Sequence, residues 1–282
     1  MRTAPPSQHK HYVRVLSIAG SDSGGGAGIQ ADIKTCSALG CYAMTAITAV
    51  TVQNTLGVRD IHSLAPEVVR AQIDAVVEDI GVDAVKIGML ATPHMVQTVA
   101  QAIRHHGLRH VVLDPVMVAT SGDRLVEPET VSVMVRELFP LVSVVTPNLD
   151  EAMLLLAQRI GGVEALDAAV AQLLALGARA VLLKGGHLPG QQVVDVLGEQ
   201  VAGQPYLHLP AARIATHNGH GTGCTLSSAI AAHLALGLAL SEAVSEARAY
   251  ILGAISAGAD VRTGAGAGPL NHAYAPRAQV VR

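Results

Sequence analysis

The chain has 282 residues, half of them apolar and 15% charged, which marks a globular protein long enough for one large core and excludes a disordered chain. A net charge of −3 gives no electrostatic case for nucleic acid or an anionic membrane, and five Tyr, one Phe and no Trp are too few for base-stacking platforms. The cysteines, Cys36, Cys41 and Cys224, are odd in number and lack zinc spacing; Cys36 and Cys41 read as small core residues, which implies a reducing, cytoplasmic setting.

Residues 1–12 are expected to form a disordered extension ahead of a single domain at 13–282. The start is polar as far as Arg14, and the apolar run after it is too short for a signal peptide. A buried strand is predicted at 13–19, stopping at Gly20. The loop Ser21-Asp22-Ser23-Gly24-Gly25-Gly26-Ala27-Gly28 and a helix at 29–39 follow. Strands at 43–52 and 58–64 lead to a helix at 66–79, with Pro66 in its first turn, where proline is favoured. Next come a strand at 84–88, a helix capped by Thr92-Pro93 and ending near His106, and a strand at 111–113 ending at Asp114-Pro115. A helix at 128–139 and a strand at 142–145 lead into Thr146-Pro147-Asn148. Helices at 149–156 and 163–176 precede a strand at 180–183 that ends at Lys184-Gly185-Gly186-His187. Segments 192–197 and 205–209 read as antiparallel strands. A glycine-rich turn then opens helices at 226–240 and 241–258. The apolar run 226–240 holds His233 and two serines and falls short of the ~20 residues of a membrane span. Strands alternating with helices give an α/β fold, a mostly parallel sheet covered on both faces.

Strand after strand ends in a polar residue: Asp22, Gln53, Asp114, Asn148, Lys184. Ligands of open α/β sheets bind at the carboxyl ends of the strands, so these residues are expected to share one crevice. The turn Asn218-Gly219-His220-Gly221-Thr222-Gly223-Cys224-Thr225 has too much glycine for a helix interior. Feeding a helix N-terminus, it forms a site for an anion, usually phosphate. Cys224 stands at that helix start, where a thiol pKa tends to be lowered. Gly26-x-Gly28-x-x-Ala31 formally matches a dinucleotide fingerprint, but no acid occurs between Ile33 and Arg59 to bind a ribose, and no Gly-Lys-Ser/Thr run is present. Asp114 and Glu151 are carboxylates of the kind that hold Mg²⁺ with waters and phosphate. Asn148 reads equally as a helix N-cap and Glu151 as its capping-box partner. Lys184 could neutralise phosphate or simply be solvated.

The chain as a set of motifs is more specific. Ala19-Gly20-Ser21-Asp22-Ser23-Gly24-Gly25-Gly26-Ala27-Gly28-Ile29-Gln30-Ala31-Asp32, Val52-Gln53-Asn54-Thr55, Lys86-Ile87-Gly88-Met89, Asp114-Pro115-Val116, Ser121-Gly122-Asp123, Thr146-Pro147-Asn148-x-x-Glu151-Ala152, Lys184-Gly185-Gly186-His187 and His220-Gly221-Thr222-Gly223-Cys224-Thr225 occur in that order. Together they resemble the hydroxymethylpyrimidine/phosphomethylpyrimidine kinase family of thiamine biosynthesis, over about 13–272. The resemblance implies a ribokinase-like fold and a bifunctional, ATP- and Mg²⁺-dependent kinase. It would phosphorylate 4-amino-5-hydroxymethyl-2-methylpyrimidine to the monophosphate and then to the diphosphate. It assigns catalysis to Cys224, Gly221, Gly223 and Lys184, with Cys224 where most ribokinase-like enzymes place an Asp. It assigns the acceptor to Gln53, Asp32, Gly20, Val52 and Met89, ATP and its phosphates to Asn148, Thr222, His220 and Lys184, and the metal to Asp114 and Glu151. It further implies a homodimer with no nucleic-acid or membrane partner, and no fused thiamine-phosphate synthase domain is expected.

One departure stands out: Asn218-Gly219-His220 replaces the family's usual Asn-Thr-His and lacks a hydroxyl near the nucleotide. The alternatives are a pyridoxal or pyridoxine kinase on the same scaffold and a non-catalytic pyrimidine sensor, which would need no phosphoryl-transfer apparatus.

Overall fold

The short apolar runs of the sequence become the strands of one sheet. The computed structural model describes residues 10–118, 126–201 and 203–282. The strands are β1 (Arg14–Asp22), β2 (Tyr42–Asn54), β3 (Gly57–Ser63), β4 (Ala84–Ile87), β5 (Val111–Leu113), β6 (Val144–Val145), β7 (Ala180–Leu183), β8 (Gln192–Glu199) and β9 (Leu207–Ala212). They form a nine-stranded sheet in the order β3-β2-β1-β4-β5-β6-β7-β8-β9 among the described residues. From β2 to β7 neighbouring strands pair in parallel, while β3, β8 and β9 join antiparallel. β4 and β7 are buried along their whole length, which is why they lack polar alternation.

Helices cover both faces: α1 (Gly28–Ala38), α2 (Pro66–Asp79), α3 (Pro93–His106), α4 (Pro128–Glu137), α5 (Leu149–Leu156), α6 (Leu166–Ala175), α7 (Thr222–Ala235) and α8 (Leu240–Gly258). Leu16, Ile18 and Val85 pack with Ile73, Val99, Met134 and Phe139 of one layer. Val15 and Ala84 pack with Cys36, Ile230 and Val244 of the other. Each such aliphatic side chain contributes about 1.5–3 kcal/mol by leaving water. β1 has β2 on one side and β4 on the other, so the connections diverge there and leave a crevice at the carboxyl ends of the strands.

Helix α7 differs from the expectation at both ends. It starts at Thr222, with Gly221 as its left-handed N-cap, so Cys224 lies inside the first turn. It stops at Ala235 because Gly237, at φ +92°, turns the chain back, its N–H donating to the Leu234 carbonyl. The 163–176 segment begins as a short 3₁₀ turn, Val163–Ala165, before α6. Tyr12 bridges Val281 and the His11 N–H donates to the Arg282 carbonyl at 2.9 Å, so these two residues lie along the C-terminal segment. Residues 1–9 and Ser121-Gly122-Asp123 lie outside the described residues. No helix among the described residues is long and apolar enough to cross a membrane.

Candidate active site

A cavity of about 680 Å³ opens along the carboxyl ends of the parallel strands and the N-terminus of α7. Asp22, Gln53, Asp114, Asn148 and Lys184, the strand-end residues, all line it. So do Gly20, Met89, Glu151, His220, Gly221, Thr222, Gly223 and Cys224.

Its centre is the anion turn. Gly221 has φ +84°, and a Cβ there would lie 1.9 Å from the Gly26 carbonyl oxygen, so only glycine fits. The Thr222 N–H donates to the Gly219 carbonyl at 3.3 Å, and the Gly223 and Cys224 N–H groups, with the helix dipole, favour an anion. Lys184 Nζ donates to Asp114 Oδ1 at 2.8 Å beside this turn. A Cβ on Gly223 would lie 3.2 Å from Lys184 Nζ and 3.3 Å from Asp114 Oδ2, so glycine here lets the charged pair approach the helix start. Burial opposes the Lys184 charge, but Asp114 and Glu151 outweigh it and hold the ammonium above its ordinary pKa.

Asn148 and Glu151 form a complete capping box at α5: the Glu151 N–H donates to Asn148 Oδ1 at 2.9 Å and the Asn148 N–H to Glu151 Oε2 at 2.8 Å. Both residues also line the cavity. Burial pushes the Glu151 carboxyl up to about 7, with Lys184 opposing and Asp114 adding to the shift.

At the other end Asp22 accepts the N–H groups of Gly24, Gly26 and Ala27 at 2.8–3.0 Å and His220 Nε2–H at 2.9 Å. Burial raises the Asp22 pKa, but His220 and these N–H groups overcome it and leave the carboxyl below its ordinary value. The glycine-rich loop thus spends its N–H groups on its own carboxylate, which explains why its likeness to a dinucleotide fingerprint is only formal. Gln53 Nε2 lies 3.4 Å from His220 Nε2, and Thr51 Oγ1 donates to Gln53 Oε1 at 3.0 Å. His220, grouped with the phosphate contacts in the sequence, sits against Asp22 and Gln53.

Three expectations change here. Side chains alternate along β2, so Thr51 and Gln53 line the cavity while Val52 turns outward and is 53% exposed. Asp32 is 0% exposed and fully engaged beneath the cavity, accepting Lys86 Nζ at 2.9 Å on both oxygens, Ser17 Oγ at 2.5 Å and Ser228 Oγ at 2.6 Å. Its carboxylate is a support, and its partner Lys86 lines the cavity. Burial pushes the Cys224 thiol up to about 11, despite Lys86 and the Gly28 N–H drawing it down, so the helix start alone does not lower it in the free protein. Cys36 and Cys41 behave as expected, buried and with raised pKa values.

Lys86, Thr51, Asp195 and Arg248 are cavity residues that sequence reasoning left without a role. A lysine inside the apolar run 84–88 was a visible signal, because buried lysines need a partner. Asp195 and Arg248 gave none: 53 residues separate two ordinary surface-type side chains that pair inside the molecule. Val193, Ile214, Ile251 and Ile255 add apolar side chains to the lining.

A protein-family description, phosphomethylpyrimidine kinase, matches residues 22–271. The chain is 54% identical over 258 residues to the hydroxymethylpyrimidine/phosphomethylpyrimidine kinase of Rhizobium meliloti, covering 91% of this chain and 96% of that one. Among solved structures, phosphomethylpyrimidine kinase from Clostridium difficile superposes with a TM-score of 0.75 at 41% identity, over 86% of this chain and 99% of that one. Bacillus subtilis pyridoxal kinase, solved as an ADP complex, superposes with a TM-score of 0.86 at 36% identity, over 94% and 98%.

Proposed function

The chain belongs to the phosphomethylpyrimidine kinase family, and from that premise we propose that it is an ATP-dependent phosphotransferase of thiamine biosynthesis. It phosphorylates the hydroxymethyl group of 4-amino-5-hydroxymethyl-2-methylpyrimidine, and then the resulting monophosphate. The observation that carries this reading is the Lys184–Asp114 pair against Gly223, at a glycine-capped helix start inside the cavity that also holds Gln53. A sensor has no use for a buried cation at that point.

Phosphoryl transfer depends more on position and charge than on a strong base. The apolar lining residues Ile251 and Ile255 of α8 suit a purine base, and Gln53 suits an aminopyrimidine edge, because an amide pairs a donor with an acceptor. The transferring phosphoryl group then lies at the turn between them, where the N–H groups of Gly221 to Cys224 and the Lys184 ammonium stabilise its charge. Cys224, in the first turn of α7 and on the cavity wall, is the candidate to accept the hydroxymethyl proton, in its thiolate form. The monophosphate is already anionic and needs no such help, so one site can serve both steps.

The residues fit Mg²⁺. Asp114 and Glu151 are buried neighbouring carboxylates, and crowding of their charge contributes to the raised pKa of Glu151. No cage of three or more His, Cys, Asp or Glu occurs among the described residues. Mg²⁺ is commonly held by one or two carboxylates together with phosphate oxygens and water. When bound it supplies neutralisation of phosphate charge, and Asp114 and Glu151 would hold it directly or through water. A homodimer and a cytoplasmic location belong to the same reading. The exposed Val50, Val52 and Leu56 of the β2–β3 hairpin support self-association.

Fold likeness does not favour the pyrimidine over pyridoxal, since the pyridoxal kinase has the higher TM-score. Sequence supports the pyrimidine, at 54% identity against 36%. The test is ADP release that depends on the added hydroxymethylpyrimidine and stops when a chelator removes divalent cations.

A further inference from the structure

Lys184 is fixed from both sides along the backbone. Its own N–H donates to the Pro147 carbonyl at 2.9 Å. The next N–H, that of Gly185, donates to Asp195 Oδ1 at 2.8 Å. Gly185 has no room to move sideways, because a Cβ there would lie 1.9 Å from the Val194 carbonyl oxygen. The other Asp195 oxygen accepts Arg248 Nε at 2.7 Å, and both side chains of this pair are only 9% exposed. A line of contacts therefore runs from α8 through Arg248, Asp195 and Gly185 to Lys184 and Asp114.

The pair is not needed merely to close the β7–β8 connection. Arg213 already fastens that loop, donating to the carbonyls of Gly186, Gly190 and Leu188. A buried ion pair is also an expensive way to fill space, since two charges lose their water and an apolar pair of similar volume is often as stable. What the pair offers is specific to its location. A carboxylate gives the Gly185 N–H a charge-assisted acceptor, stronger and shorter than a neutral one. Left alone on the wall of the cavity, the same carboxylate would repel a polyphosphate. Arg248 removes that penalty and orients the carboxylate at the same time. Both residues line the cavity that holds the anion turn.

We propose that Asp195 and Arg248 are positioning residues for the phosphate donor: the pair holds the Lys184 backbone in place and cancels a carboxylate charge along the path of the nucleotide phosphates. The proposal rests on the reading of the cavity as a phosphoryl-transfer site. Acceptor binding is independent of the pair.

Arg248→Met, Arg248→Lys and Asp195→Asn are compared with the wild type for kcat, for KM of ATP and of the hydroxymethylpyrimidine, and for thermal melting. Arg248→Met is expected to raise the ATP KM at least tenfold and lower kcat about tenfold, with the pyrimidine KM within twofold. Arg248→Lys is expected to raise the ATP KM only about threefold, and Asp195→Asn to lower kcat about tenfold. A lower melting temperature with unchanged kinetic constants would show a purely structural pair and overturn the proposal. Equal rises in both KM values would overturn it too. If Arg248→Met does not fold, the Arg248→Lys comparison decides alone, an unchanged ATP KM counting against the pair. Calorimetry with a non-hydrolysable ATP analogue reads the same selectivity without an acceptor. Failure of the wild type to phosphorylate the pyrimidine contradicts the functional reading, whereas a wild-type-like analogue affinity in Arg248→Met contradicts the pair.

Discussion

Asp22 and His220 are 198 residues apart in sequence, and their side chains meet at 2.9 Å. The contact fastens the loop after β1 to the turn before α7. Around it the two glycine turns interlock: a Cβ on Gly26 would lie 2.5 Å from His220 Cδ2, and one on Gly221 would strike the Gly26 carbonyl. The loop after β1 and the turn before α7 thus enter the cavity wall as one joint.

Asp22→Ala removes the acceptor for three backbone N–H groups and His220. Only the Gly26 donor is fully buried; leaving it unpaired costs about 1–3 kcal/mol, and water can reach the others. The expected loss is about 2 kcal/mol, read by denaturant unfolding, with a rise in the pyrimidine KM. Unchanged stability would mean that the loop is held by other contacts.

The three glycines of the anion turn should behave differently. Nothing lies within 4 Å of a Cβ on Gly219, so Gly219→Thr should fold with stability within about 0.5 kcal/mol of the wild type. Gly221→Ala forces an L-residue to φ +84° and into the Gly26 carbonyl. The left-handed conformation alone costs about 1–2 kcal/mol, so a marked fall in melting temperature is expected. Gly223→Ala should fold, because its neighbours are the flexible end of Lys184 and the Asp114 carboxylate, but it should lower kcat by about tenfold or more by pushing that pair from the turn. Circular dichroism melts and steady-state rates on the three variants separate these outcomes.

Cys224→Ala should affect the two phosphorylations unequally. General-base assistance is worth about 10²–10⁴ in rate. The first step should therefore fall by at least about 100-fold, and the second, whose acceptor is already ionised, by much less. With the thiol raised to about 11 in the free protein, the rate of the first step should also rise with pH through 7–9. Equal losses in both steps, measured with each acceptor separately, would remove the base role.

Stability should fall on acidification because of His272. Burial lowers its pKa to about 4, and its Nε2 lies 3.0 Å from Thr225 Oγ1 next to the anion turn. Between pH 4 and 6.5 the unfolded chain takes up this proton and the folded chain does not, so stability rises with pH across that window and is complete above 6.5. A shift from 6.5 to about 4 corresponds to about 3 kcal/mol. His233, also lowered by burial, adds in the same direction. Urea unfolding of His272→Gln against the wild type at several pH values isolates the contribution, and equal pH slopes would contradict it.

Much of this was legible in the residues. Strand-end polarity located the crevice because a parallel sheet aligns all its carboxyl ends, and Asp22, Gln53, Asp114, Asn148 and Lys184 do line one cavity. Periodicity failed where side-chain direction mattered. Val52 and Thr51 differ only by the alternation of β2, and a bulge beside Gln53 obscures that register in a mixed Val/Thr run. Asp32 read as an available acid because its three partners come from β1, β4 and α7, which only the fold brings together. The raised thiol of Cys224 likewise follows from burial between elements, a quantity that a local helix-start argument does not contain.

We propose one cavity for both phosphorylations of the pyrimidine. The most direct measurement is ATP turnover with three separate acceptors: the hydroxymethylpyrimidine, its monophosphate and pyridoxal. Product is expected from both pyrimidines and little from pyridoxal, with both pyrimidine activities lost in Lys184→Ala. Turnover of pyridoxal alone, or phosphorylation of one pyrimidine without the other, would contradict it.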